Sequence, residues 1–131
     1  MAVSKHPVLP HMVRRIPSQF SWIDHRLVRE CYIDSLSHGA AALYLFLVTV
    51  SDAQGLSYYG DASLAKRLGM DKGTLGDARS NLIESQLVAY QKPLYQVLGL
   101  DSRRQQVQNS SGLSSLGEIL ARIAGGEHDR L

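Results

Sequence analysis

Residues 64–90, LAKRLGMDKGTLGDARSNLIESQLVAY, carry the pattern on which the fold reading turns. Leu64, Ala65 and Leu68 make a short apolar stripe at helical spacing, with Asp61 as the expected N-cap before it and Gly69 where a left-handed residue closes a helix. After Met70, Asp71 is placed to cap a further helix, in which Leu75, Ala78 and Leu82 recur on one face through about Gln86. Leu87-Val88-Ala89-Tyr90 and Leu94-Tyr95-Gln96-Val97-Leu98 then read as two strands joined by Gln91-Lys92-Pro93. The segment is thus two helices about a tight turn, followed by a hairpin.

Upstream, the helical period reaches back to Ser21. Ser21-Trp22-Ile23-Asp24 fits a capping box, and Ile23, Leu27, Val28, Cys31 and Tyr32 follow at helical spacing, which predicts a helix to about Leu36. Ser37 is placed to cap a second helix over residues 38–51, apolar around nearly its whole circumference and therefore the expected central core helix. Residues 52–55 end it, with Gly55 supplying the positive φ of a tight reversal, and Leu56-Ser57-Tyr58-Tyr59 reads as a short strand with one tyrosine inward and one exposed. Residues 1–20 hold Pro7, Pro10 and Pro17 and no helical period, and read as an extended arm. Beyond the 21–100 domain, residues 101–113 form a polar linker. Ser115-Leu116-Gly117-Glu118 opens a short amphipathic tail helix (Leu116, Ile119, Leu120, Ile123) within residues 114–131.

Composition narrows the function classes. With 131 residues, 44% hydrophobic and 20% charged, the chain fits one globular domain with a core large enough to need no staple. The single cysteine, Cys31, rules out an intramolecular disulfide and a multi-thiolate zinc site, and its place on an apolar stripe reads as a buried structural thiol. His6, His11, His25, His38 and His128 are scattered without metal-ligand spacing, so no metal is expected. Gly69, Gly73 and Gly76 lack the Gly-Lys-Ser/Thr of a phosphate loop. No nucleophile, base and orienting group converge, so the expectation is a protein without catalytic residues or cofactor. The longest apolar run, residues 39–50, is too short for a bilayer span, and residues 1–15 lack the apolar stretch of a secretory signal, which together suggest a cytoplasmic, nucleoid-associated protein without a membrane partner. The net charge of +2 is unevenly spread: residues 1–20 carry Lys5, Arg14 and Arg15 and no acid, whereas residues 21–60 are net negative.

Core helix, short strand, short helix, turn, helix and hairpin follow one another in the order of the winged helix-turn-helix: a mainly α fold with a small β-hairpin wing. Residues 64–90 resemble the corresponding stretch of GntR and MarR regulators. Upstream, FSWIDHRLV (20–28) and AALYLFLVTVSDAQGLSYY (41–59) look more like the N-terminal domains of plasmid replication initiators and DnaD-type primosome proteins. The resemblance spans residues 20–98. It implies double-stranded DNA binding by a transcription regulator or by a replication or mobile-element accessory factor, as a homodimer. It would place Lys72, Thr74, Ser80 and Asn81 against base edges and Lys66, Arg67, Arg79 and Lys92 against phosphates, with Lys5, Arg14 and Arg15 of the arm adding salt-dependent affinity.

Two alternatives stay open. A helical wheel with Leu75, Ala78 and Leu82 inward leaves Gly73, Asp77, Ser80 and Glu84 outward, a face with two acids and no cation. A winged-helix module that meets a protein partner through this 73–84 face, or through the tail helix, reads the same residues. Arg79 has a second reading as the ion-pair partner of Glu84 or of an acid on the first helix.

Overall fold

A computed structural model describes residues 4–100. The linker expected at 101–113 and the tail helix at 114–131 lie outside the described residues. Helix α1, Arg26–Arg29, is followed by a 3-10 turn at Ile33–Ser35 and by α2, His38–Val50. Strand β1, Leu56–Tyr58, leads to α3, Asp61–Leu68, and α4, Lys72–Glu84, before the hairpin of β2, Val88–Gln91, and β3, Leu94–Val97.

As expected, α2 is central. The Ser37 hydroxyl accepts the Ala40 N–H at 3.1 Å, and Ala40, Leu43 and Leu47 are fully buried. Opposite them α4 contributes Leu75, Ala78 and Leu82, and α3 contributes Leu64, so the three helices share one apolar core. The core is closed below by the sheet. Its strand order is β1-β3-β2, antiparallel throughout, with Leu56 opposite Gln96 and Val88 opposite Val97. The last strand is therefore the middle one, and its Tyr95 is completely buried. Tyr59 packs edge-on against Phe46 at 5.0 Å between ring centroids while Tyr58 is exposed, the division that strand alternation predicts.

Gly55 is the close point between loop and sheet. It has φ +82°, its carbonyl accepts the Val97 N–H at 2.8 Å, and a Cβ there would lie 2.6 Å from the Val97 carbonyl oxygen. Asp52 shapes the same loop by accepting the N–H groups of Gln54 and Leu56 at 2.8 and 2.9 Å.

Three local expectations are corrected. The continuous helix from Ser21 to Leu36 is absent: only α1 forms, and the Ser21 hydroxyl donates to the Thr49 carbonyl on α2 instead of capping a helix. The residues that reach the core are Leu27 and Tyr32. In an unbroken helix, five positions apart would point them about 140° away from each other. The break falls at Cys31, which adopts φ +61° and is exposed, so the buried-thiol reading is overturned too. Finally, Gly60 and not Asp61 is the N-cap of α3, because the Asp61 carboxylate is drawn to Arg79.

Residues 4–20 are exposed throughout, with a single 3-10 turn at Pro10–Met12. No helix among the described residues is long and apolar enough to cross a membrane.

Two glycine substitutions test this backbone. Gly55→Ala should cost more than about 1 kcal/mol, since the new Cβ meets a carbonyl at a positive φ. Gly76→Ala, inside α4 with open space around it, should gain about 0.5–1 kcal/mol. Urea midpoints at constant m-value measure both.

Candidate functional site

The site is built on the α3–α4 corner. Gly69 closes α3 at φ +63°, the Met70 N–H donates to the Ala65 carbonyl at 3.0 Å, and the Asp71 carboxylate then accepts the Thr74 N–H at 2.6 Å to start α4. The Thr74 amide and hydroxyl hold the Asp71 carboxyl below its ordinary range. The corner therefore sets the angle at which α4 presents its first turn.

Four predicted cations are exposed around this corner. Lys66 and Arg67 end α3, Lys72 opens α4 and Lys92 sits in the hairpin turn, beside the cis Lys92-Pro93 peptide. Among the described residues none of the four enters an ion pair. Lys92 and Lys72 both add to the lowering of the Asp61 carboxyl through the electrostatic field, after its hydrogen bond to Arg79. Ser80 is exposed with Gly73, Asp77 and Glu84, the face that the helical wheel turned outward. Thr74 is exposed as well, but its hydroxyl serves the Asp71 cap and its methyl group faces Gly39. Lys5, Arg14 and Arg15 are exposed on the arm, and no hydrogen bond or ion pair ties them to the corner.

Two predicted contact residues are engaged within the fold. Arg79, placed on phosphate by the resemblance, turns inward: one guanidinium nitrogen donates to Asp61 Oδ1 at 2.8 Å and to the Tyr95 hydroxyl at 2.7 Å, and the other to Asp61 Oδ2 at 3.3 Å. The same guanidinium lies 4.5 Å over the Tyr90 ring, and the side chain is 16% exposed. Its acid is thus neither Glu84 nor an acid of the first helix. Asn81, placed on a base edge, instead joins α4 to the start of α2: its Oδ1 accepts the Ser37 N–H at 2.7 Å and its Nδ2 donates to the Ser35 carbonyl at 3.3 Å. Both side chains are spent on the fold.

The Asp61–Arg79–Tyr95–Tyr90 cluster was missed from sequence, and its electrostatics follow from its contacts. Hydrogen bonding to Arg79 holds the Asp61 carboxyl below the carboxylate range, and the same bond raises the already high pKa of the guanidinium. Burial pushes the Tyr95 hydroxyl up, partly offset by Arg79. Just before α1 the Asp24 carboxyl, paired with Arg26 at 2.7 Å, is lowered to about 2.

Away from this corner a concavity of about 440 Å³ opens between the end of α2, the 20–24 segment and the end of β3, with Phe20, Trp22, Tyr44, Val48, Leu98 and Leu100 among its walls. Among the described residues no group of three His, Cys, Asp or Glu side chains is placed to hold a metal ion. Comparison with protein-family models, curated proteins and solved structures finds no match to the chain.

Removing Arg79 leaves the buried Tyr95 hydroxyl without its donor, so Arg79→Met should cost about 2 kcal/mol by urea unfolding. The folded pKa of Asp61 is depressed, so its pairing stabilises fully above the unfolded carboxyl value, about 3.9, and is lost as pH falls through the folded value. Asp61→Asn should accordingly flatten the fall in unfolding midpoint as pH drops below about 4. Asn81→Ala, which strands the Ser37 N–H, should cost about 1–2 kcal/mol.

Proposed function

We propose that this chain is a winged-helix protein that binds double-stranded DNA, docking α4 in the major groove with the β2–β3 hairpin as the wing. The observation that carries the reading is the group of exposed cations without ion-pair partners among the described residues, Lys66, Arg67, Lys72 and Lys92, spread over the end of α3, the start of α4 and the hairpin turn. Cations distributed in this way meet phosphates on both sides of a groove. The element order and the β1-β3-β2 sheet agree with a helix-turn-helix flanked by a wing.

With Arg79 and Asn81 engaged inside the fold, base-edge contacts fall to Lys72 and Ser80, the exposed non-acidic polar residues left on α4, with Thr74 at the first turn. This is a narrow reading surface, which suits an accessory factor that recognises duplex shape with modest sequence preference. The role is non-enzymatic: transcription regulation, or assistance to replication or to a mobile element, in the cytoplasm at the nucleoid.

One observation favours a second reading. The outward face of α4 carries Asp77 and Glu84 about Ser80, and these acids oppose phosphate. A protein partner meeting that face through basic side chains would use the same helix.

Fluorescence anisotropy with random-sequence duplex separates the two. DNA binding should be clear at about 50 mM salt and weaken steeply by about 200 mM, and Lys66→Ala or Lys92→Ala should each lower the log–log salt slope by about 0.9. Absence of binding at the lower salt overturns the DNA reading. So does binding whose salt slope is unchanged when all four cations are replaced by alanine.

A further inference from the structure

Exposed large hydrophobic side chains are not scattered over this molecule. Among the described residues there are thirteen, and eleven of them lie between residues 8 and 45. The α3–α4 corner and the hairpin, where DNA binding is proposed, contribute only Ile83, and β1 only Tyr58. On the arm, Val8 is 94% and Ile16 79% exposed, with Leu9, Met12, Val13 and Phe20 also open to solvent. The body adds Trp22 at 74%, and Ile23, Val28, Ile33 and Leu45. Single exposed apolar residues need no explanation, but a concentration of this kind marks a surface that is covered in use.

We propose that the cover is a second copy of this chain, in a reciprocal exchange in which the arm of each protomer lies across the 22–45 surface of the other. Two observations select that occupant. The first is area. Side chains of this size bury on the order of 100 Å² each, so an arm and a body surface together supply roughly 1,000 Å² per protomer, above the roughly 800 Å² of a standard interface. The second is charge. The arm has Lys5, Arg14 and Arg15 and no acid through residue 20, whereas the 22–45 surface carries Asp24, Glu30 and Asp34 against Arg26 and Arg29, with Asp34 exposed beside Ile33. An arm laid along its own kind would set cation against cation; an arm laid on the partner's body sets it against a surface with one acid in excess.

Exchange also fits the way the arm is attached. The Ser21 hydroxyl is tied to the Thr49 carbonyl at 3.3 Å, so the arm departs from the C-terminal end of α2, one helical turn from exposed Leu45. A two-fold axis near that point brings each arm onto the opposite α1–α2 surface, and the isologous contact closes at two copies. The exchange uses Arg14 and Arg15 for protein contact and leaves the four corner cations free for DNA.

Sedimentation equilibrium of the full chain between about 1 and 100 μM, without DNA, tests the proposal. The expected species is twice the 14.5 kDa chain mass. Ile16→Ser with Trp22→Ser should weaken dimerisation at least tenfold, and so should Arg14→Glu with Arg15→Glu, with the circular dichroism of the wild type retained because all four side chains are exposed. Lys66→Ala with Lys92→Ala should dimerise as the wild type does, which separates failure here from failure of the DNA reading. A monomer at the highest concentration overturns the proposal, whether its arm is then found bare, covered by residues beyond 100, or bound to anionic vesicles. A dimer indifferent to both arm variants overturns it equally.

Discussion

The Arg79 guanidinium holds α3, α4 and the hairpin in register. It binds the first residue of α3 through Asp61, the middle strand through the Tyr95 hydroxyl and the neighbouring strand through the Tyr90 ring, while its own backbone belongs to α4. A planar cation with several donors suits this task, because one side chain satisfies a carboxylate and a buried hydroxyl and still stacks on an aromatic face. Asp61 adds to the arrangement by placing negative charge at the positive end of α3. Apolar contacts would let the helices and hairpin slide over one another; directional bonds converging on one group do not.

Asn81 performs the matching service two residues along, on the opposite side of the helix. By bonding the Ser37 amide and the Ser35 carbonyl it fixes the far side of α4 to the start of α2. The two side chains bracket the helix between the sheet and the core helix. What remains for an outside partner is its first turn and the narrow strip of Gly73, Asp77, Ser80 and Glu84, while most of the free positive charge sits on neighbouring elements. Under the proposed DNA reading such a helix is a rigid support whose neighbours do much of the gripping.

The sequence made α2, the α3–α4 corner and the hairpin legible because each is specified locally. Ser37 and Asp71 cap within three residues, Gly55 and Gly69 occupy positive-φ positions, and the Leu75, Ala78 and Leu82 stripe keeps one period. The first helix misled because Ile23, Val28 and Cys31 fit a helical period yet stay exposed, while the two anchors that enter the core are five apart. At the site, the helical wheel found the outward face of α4 but could not assign partners to residues on its edges. Arg79 meets Asp61 eighteen positions away, and Asn81 meets Ser37 at forty-four, separations that no local pattern encodes. Lys66, Arg67, Lys72 and Lys92, the other cations expected at DNA, are exposed on the surface.

The middle position of β3 has a consequence for the order in which the molecule is assembled. β1 borders no strand but β3, and its pairing of Leu56 with Gln96 spans about forty residues, so β1 waits unpaired while α3, α4 and β2 are added to the growing chain. Helical pairing across short loops is fast, whereas closure of a long-range strand is slow. On a ribosome the helices therefore have time to collect around α2 before the sheet exists, and the last few described residues act as a keystone: Tyr95 enters beneath helices already gathered and draws Arg79 and both outer strands onto itself.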